Sequence, residues 1–469
     1  MTANPLAPSW LVLPADANAL APGVWPHSAR RTEEGVIQLG GVSVSDLVAR
    51  YGTPLYVVDE ADARARARTI RTAFQSAFAD CGAEVTVYYA GKAFLSTQVA
   101  KWMVDEGLSV DVASGGELAV ALAAGVEGRL LGFHGNNKSS AEIDRAIAAG
   151  VGAIVIDSWI EIERVAAAAS RHGVTQSVRL RVNTGVHAHT HDYLATARED
   201  QKFGIALVDV AEHVRHIRSF DSLNFLGLHS HIGSQIFDAA GFNRAIERLM
   251  PVHAALVGGG PVPELNLGGG FGIAYTSADQ VTPLEDIARS MATELATRAK
   301  ILGIPVPKIA IEPGRAIIGP AGVTLYEAGT IKDVVVTTDD GESAVRRYVS
   351  VDGGMSDNVR PALYQADYSV RIGNRASDAD AELVRVAGKH CESGDIVVNA
   401  DYLPADVRPG DLLAVPGTGA YCWSLASNYN YLPRPAVIAV ADAQARLLIR
   451  RESETELLAR DVGIEGGVE

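Results

Sequence analysis

The sequence predicts an α/β chain: a (β/α)8, TIM-like barrel followed by a second, mostly β domain. Three observations lead there. Eight short apolar, β-rich runs recur through the chain: "EVTVYYA", "GLSVDVA", "RLLGFHG", "GAIVIDS", "VRLRVN", "FLGLHSHI", "ELNLGGG" and "KIAIEPG", starting near residues 84, 107, 129, 152, 178, 225, 264 and 308. Between them lie helical patterns such as "STQVAKWMVDEG" and "SAEIDRAIAAG", with apolar residues recurring at three and four and a glycine to stop several of them. After about residue 318 the helical pattern fades, and "RRYVSVDGG", "AELVRVAG", "DIVVNADYL", "DLLAVPG" and "AVIAVADAQARLLIRRE" read as short strands separated by turns.

Eight strand–helix units match a closed barrel in number and span. An open doubly wound sheet is the competing α/β arrangement, and the regular eightfold rhythm favours closure. The reading divides the chain into an N-terminal segment, 1–48, contributing to the β domain; the barrel, 49–318; and the C-terminal β domain, 319–469. Around the first boundary "VIQLGGVSVSDLVARYG" reads as strand, turn and helix, so the N-terminal segment can add a strand. The longest interruption in the rhythm, 184–224, holds "GVHAHTHDYLATAREDQKFG". Insertions of that length in a barrel sit in loops over the active face.

Composition excludes several classes of function. A hydrophobic content of 48% with 21% charged residues is that of a globular chain with cores to bury. The formal net charge of -15 disfavours nucleic acid or an anionic membrane as partner. Cys81, Cys391 and Cys422 are odd in number and irregular in spacing, which is no disulfide framework and points to the reducing cytoplasm. The N-terminus lacks a basic n-region with a long apolar core, and no run reaches the length of a membrane span.

In such a barrel, chemistry belongs to the C-terminal ends of the strands. Those ends carry Lys92, Asp111, His134, Asp157, Arg181, His229, His231, Gly268 to Gly270 and Glu312. A cation closing a buried strand, as Lys92 closes "VYYAGK", is unfavourable unless it is paired, solvated or chemically used. "HIGSQ" (231–235) and "NLGGGFG" (266–272) are glycine turns able to aim backbone N–H groups at an anion, and "EPGR" (312–315) adds Pro313, Gly314 and the cation Arg315. One glycine turn is as readily a tight connection. Three of them on strands six, seven and eight read as a phosphate site.

A phosphate site beside a strand-end lysine has one joint explanation. Pyridoxal phosphate needs an amine for its aldehyde, a cradle for its phosphate and a partner for its ring nitrogen. Lys92 is the amine, Glu312 the carboxylate that keeps the ring nitrogen protonated, and His231 a flat face for the ring. Asp111 and Arg181 read equally as orienting groups or as structural ion pairs. "HAHTH" (187–191) puts three histidines on one side of a strand, a zinc-like pattern, but no cysteine or carboxylate accompanies them; a polar loop and no metal is the expectation. Cys81 and Cys422 are expected to be inert.

At this point the chain resembles a known family, the fold-type III pyridoxal-phosphate-dependent decarboxylases, and within it the diaminopimelate decarboxylases. The likeness runs from about 50 to 440 and rests on "YYAGKAF" (88–94), "VDVASGGEL" (110–118), "QKFG" (201–204), "GLHSHIGSQ" (227–235), "LNLGGGFG" (265–272), "EPGR" (312–315), "VDGGMSDNVRPALY" (351–364), "CESGD" (391–395) and "GAYCWSLASNYN" (419–430). The resemblance implies decarboxylation of meso-2,6-diaminopimelate to L-lysine and carbon dioxide, with pyridoxal phosphate held by Lys92 and His231 stacked on its ring. It implies that Ser234, Gly268, Gly269, Gly270 and Gly314 hold the phosphate, beside the Tyr421 hydroxyl, and that Glu312 faces the ring nitrogen. Arg315, Arg360 and Tyr364 would contact the substrate's distal end, and Glu392 its distal amino group. Cys391 would be the proton donor, reaching the pocket with Glu392 from the second subunit of a homodimer.

These roles suit the substrate. Its far amino-carboxylate head needs arginine forks for the carboxylate and an anion for the ammonium, and a thiol is neutral before it gives up its proton. The alternatives are a decarboxylase acting on ornithine, arginine or carboxynorspermidine, and a non-catalytic pyridoxal-phosphate carrier. An amino-acid racemase is disfavoured by Glu312, since racemases of this fold place a cation at the ring nitrogen. One departure stands out: "GKHC" precedes "ESGD" where many relatives carry a Gly-Pro-apolar turn.

Overall fold

A computed structural model describes residues 4–186, 202–338 and 341–463. The chain divides into two compact units, one formed by Arg64–Gly272 and Val281–Ile317, the other by Met1–Ala63, Ile273–Gln280 and Ile318–Glu469.

The first unit is a closed parallel barrel. Its strands are β1 (Val85–Ala90), β2 (Ser109–Val112), β3 (Leu131–Phe133), β4 (Ala153–Ile156), β5 (Gln176–Asn183), β6 (Leu223–His229), β7 (Glu264–Asn266) and β8 (Lys308–Ile311). Each pairs with the next, and β8 pairs with β1 through Ile309 and Val85, so the sheet has no open edge. The eight strands are those the apolar runs predict. Local sequence sets the helix limits between them. Ser139 caps the helix Ser140–Ala148 in a reciprocal box with Glu142, and Gly173 ends Trp159–His172 in the left-handed conformation at φ 66°.

The second unit is mostly β. Its main sheet runs in the order Ile396–Pro404, Ala381–Ala387, Ser343–Val351, Gly322–Thr337, Leu55–Asp59, Ala436–Ala441, Gln444–Ile449. Leu55–Asp59 lies inside the stretch that the sequence reading gives to the barrel. Its hydrogen-bonding partners are instead Gly322–Leu325, antiparallel, and Ala436–Val440, parallel. All five of its residues are buried, and a short, mostly apolar run carries no mark of which sheet receives it.

The N-terminal segment forms a three-stranded antiparallel sheet of its own, Arg30–Arg31, Ile37–Leu39 and Val42–Ser43, where the sequence suggests one added strand. Val24, Trp25, Ile37, Leu39 and Leu47 then pack into one core with Leu55, Val57, Val323, Leu325 and Ile438. Leu6, Leu11 and Leu13 pack on Leu383, Ala400 and Tyr402. The segment is thus held by apolar burial along its length. No described helix is long and apolar enough to cross a membrane. The 187–191 histidines lie outside the described residues.

Candidate active site

Strand β1 ends at Ala90 and turns at once through Gly91–Ala93. The turn is wedged between its neighbours. Ala90 N–H donates to the Pro313 carbonyl at 3.2 Å. A Cβ on Gly314 would stand 2.9 Å from the Ala90 carbonyl oxygen and 3.1 Å from the Ala93 Cβ, and one on Gly91 would stand 2.7 Å from the Asp111 carbonyl oxygen. Only a backbone without side chains fits there. Gly91 and Ala93 are buried and Lys92 is exposed, so the fixed turn presents the amine to a cavity of about 420 Å³.

Lys92, Asp111, His134, Arg181, His231 and Glu312 all line this cavity. Glu312 follows β8 directly and is buried. Asn266, the last residue of β7, donates its Nδ2 to Glu312 Oε1 at 2.7 Å, and His229 Nε2, at the end of β6, lies 3.1 Å from Oε1 and 3.2 Å from Oε2. His134 Nε2 stands 3.5 Å from Glu312 Oε1 and 3.0 Å from Asp111 Oδ1. Burial alone would raise the Glu312 carboxyl; the imidazoles of His229 and His134 and the bond His229 donates outweigh it and hold the group well below the ordinary carboxylate range. Asp111 goes the other way. Burial, then repulsion from Glu312, pushes its carboxyl well above its usual value, and neither of its oxygens has a hydrogen-bond partner among the described residues. Two carboxylates sharing one buried space do not both ionise. The charge settles on Glu312, which has the donors.

The three histidines are neutral for a different reason: burial disfavours the imidazolium and outweighs the pull of the Glu312 charge. Burial lowers His134 and His229 to about 4 and His231 well below the imidazole range. His231 Nδ1 accepts the Gly269 N–H at 3.3 Å, which leaves its proton on Nε2. The linkage consequence is testable. In an unfolded chain the imidazoles of His134 and His229 take up protons near 6.5; in the barrel they do so only near 4. Their contribution to stability is therefore complete above 6.5 and is lost as pH falls toward 4. The unfolding temperature is expected to drop across that interval, and His229→Gln to show a shallower drop; a scan of thermal unfolding against pH checks it.

Ser234, Gly268, Gly269, Gly270, Pro313, Gly314 and Arg315 are joined to the cavity walls without themselves lining the cavity. Arg315 Nη2 donates to Ser234 Oγ at 2.9 Å, tying the 231–235 turn to the 312–315 turn. Gly268 and Gly270 have φ of 67° and 106°, and a Cβ on Gly269 would meet the Glu312 carbonyl oxygen at 2.0 Å. The three glycine turns are packed backbone against backbone. Arg181 lies over the Phe203 ring with 4.1 Å from Cζ to the centroid. The sequence reading missed Phe203 and Asn266. The signal for Asn266 was a polar residue closing an apolar strand, the mark that identified Lys92.

The remaining candidates belong to the other unit. Arg360 is buried, its Nη1 donating to the hydroxyls of Tyr275 and Tyr368, with Nε buried and without a partner among the described residues. Tyr364, on the short helix Arg360–Tyr364, is exposed. Cys391 and Glu392 are exposed as well. The Cys391 N–H donates to Asn430 Oδ1 at 3.0 Å, and Glu392 Oε1 accepts the Gly394 N–H at 3.2 Å. Tyr421 adopts the left-handed conformation at φ 62°. Cys422 is buried with Sγ 3.5 Å from Asn358 Oδ1, and Cys81 Sγ donates to the Phe78 carbonyl.

An amine, an anionic carboxylate and a neutral imidazole on one cavity, with the buried Asp111 carboxyl beside them lacking a hydrogen bond among the described residues, fit the donor set that pyridoxal phosphate requires. His134, His229 and Glu312 also place three ligand atoms within 4.8 Å of one another, a spacing a metal ion accepts; the hydrogen bond His229 donates to Glu312 accounts for that grouping.

Comparison with known proteins bears on the same residues. The family profile described as "Pyridoxal-dependent decarboxylase, pyridoxal binding domain" matches residues 64–319. The chain is 50% identical to the diaminopimelate decarboxylase of Mycobacterium leprae over 95% of this chain and 94% of that one, and 42% identical to the Bacillus subtilis enzyme of that name over 94% and 98%. The solved structure of M. jannaschii diaminopimelate decarboxylase in complex with L-lysine superposes with a TM-score of 0.86 at 29% identity, covering 94% of this chain and 99% of that one. The chain belongs to the pyridoxal-dependent decarboxylases, enzymes that use pyridoxal phosphate, and within them to the diaminopimelate decarboxylase family.

Proposed function

We propose that the chain decarboxylates meso-2,6-diaminopimelate to L-lysine in the cytoplasm, as a homodimer with shared active sites. The observation that carries this reading is the convergence of Lys92 and Glu312 on one cavity. Bound there, pyridoxal phosphate supplies the electron sink that lets a carboxylate leave as carbon dioxide.

The chain's own groups do the rest. Lys92 holds the cofactor through its aldehyde, and Glu312, kept ionised by Asn266 and His229, holds a proton on the ring nitrogen. His231, neutral, offers its ring face without adding charge. Ser234, Gly268, Gly269, Gly270 and Gly314 receive the phosphate, with Pro313 shaping the turn and Arg315 and Tyr421 beside it. Arg315, Arg360 and Tyr364 read the distal carboxylate, and Glu392 the distal ammonium. Cys391 Sγ–H gives its proton to the carbon that has lost its carboxylate.

The exposure of Cys391 and Glu392 supports a second subunit as their destination. Leu363, Tyr364, Tyr429 and Tyr431 are large exposed side chains of the same unit, the composition of a surface that a partner covers.

Product analysis with meso-diaminopimelate, ornithine and arginine tests the substrate: lysine and carbon dioxide are expected from the first alone, and turnover on ornithine or arginine instead would overturn the reading. Mixing Lys92→Ala with Cys391→Ala protein tests the shared site, because turnover that neither variant has alone requires two chains to complement each other. Glu312→Gln is expected to keep the cofactor and to lower kcat by about 10²–10³-fold, the range for removing one preorganised electrostatic partner; steady-state kinetics check it.

A further inference from the structure

Lys389 and His390 immediately precede the proposed proton donor, and the structure shows what His390 does there. Its side chain is 0% exposed and that of Asp395 is 1% exposed. The Asp395 carboxylate collects three donors: the N–H of Met355 at 2.6 Å, the N–H of His390 at 2.8 Å and Nδ1 of the His390 ring at 2.9 Å. A carboxylate only accepts, so Nδ1 carries the hydrogen; Nε2 is buried and has no partner among the described residues. The Tyr429 ring lies parallel to the imidazole, 3° between planes and 5.5 Å between centroids. The next residue, Asn430, accepts the Cys391 N–H. Gly354 and Gly388 close the pocket around Asp395: a Cβ on either would fall within 2.5 Å of a carboxylate oxygen.

We propose that His390 is a positioning residue for Cys391, acting through its bond to Asp395 and its stack on Tyr429. The inference rests on the reading of Cys391 as proton donor. The thiol is exposed, so its direction is set by the backbone at 390–391. That backbone is fixed on one side by the His390 ring and on the other by Asn430. A leucine at 390 would fill the volume, but it would remove one of the three donors to Asp395 and the flat contact with Tyr429. The Cys391 peptide would then keep its backbone bonds, from the His390 N–H to Asp395, from the Glu392 N–H to the His390 carbonyl and from its own N–H to Asn430, and lose the ring that ties it to Asp395 and Tyr429. Proton transfer is sensitive to such a loss in a way that substrate binding is not.

The test compares His390→Leu with His390→Asn, whose side-chain N–H can still reach Asp395. In His390→Leu, kcat is expected to fall on the order of 10–10²-fold, the effect of a small misplacement of a reacting group. KM and the cofactor absorbance stay unchanged, and the solvent deuterium isotope effect on kcat rises as proton delivery becomes slower. His390→Asn is expected to restore both kcat and the isotope effect. A His390→Leu enzyme with the parent's kcat and isotope effect would overturn the proposal. So would loss of kcat and cofactor absorbance together in both variants, which marks a folding defect. Cys391→Ala measured alongside separates the two layers. Normal turnover in that variant refutes the donor assignment, and with it the proposal; impaired turnover there with normal His390→Leu refutes the positioning role alone.

Discussion

Lys92→Ala is expected to lose the absorbance band of the attached cofactor and more than about 10⁴ in turnover. That figure exceeds the upper end for one placed acid or base, because the same amine also holds the cofactor. Lys92 is the one lysine among the described residues that line the cavity, so none of them replaces it. It is exposed on a turn whose other two residues are buried, and removing its side chain opens no void in the core. The unfolding temperature should therefore hold while the spectrum changes. Lys92→Arg separates charge from nucleophilicity: the guanidinium keeps the cation but stays protonated and does not condense with an aldehyde. It is expected to be as inactive as the alanine variant. An unchanged spectrum in Lys92→Ala would remove Lys92 from the mechanism.

The second large effect is expected at Cys391. Its replacement by alanine should lower kcat by roughly 10²–10⁴-fold, the usual contribution of a positioned general acid, with KM little altered. Substrate recognition is proposed to rest on other groups, Glu392 among them. Steady-state kinetics separate the two constants, and a kcat near that of the parent would refute the donor role. Because Cys391 and Glu392 are adjacent on one exposed turn, Glu392→Gln makes a useful contrast: a loss that appears mainly in KM marks a binding group.

The barrel was legible because two periodicities alternate along it. Strands such as "EVTVYYA" and "GAIVIDS" are buried on both faces and read as continuous apolar runs, and the helices between them repeat every three or four residues. The site was legible for a related reason. Lys92 and Glu312 are polar residues where an apolar strand has just ended, and a barrel gathers all such positions at one rim. Leu55–Asp59 was placed in the wrong neighbourhood by that logic, since its local pattern is the same as a barrel strand's and only partners far along the chain, at 322–325 and 436–440, distinguish it. Asn266 supports Glu312 through a contact between adjacent strands 46 residues apart, a separation that no local pattern reports. His390 was visible as a departure, but its meaning depends on Asp395 and Tyr429, which come together only in the fold.

The placement of Leu55–Asp59 has a consequence for synthesis on the ribosome. The strand emerges early, yet one of its two neighbours in the sheet, Ala436–Ala441, is among the last segments to be made. The barrel, encoded almost without interruption between them, can close first. Throughout that interval an apolar strand waits with both edges unsatisfied, an invitation to pair with another nascent chain. The buried acid at its end, Asp59, and the arginine-rich helix Glu60–Ala79 that follows place charge directly beside it, the kind of flank that slows such mispairing.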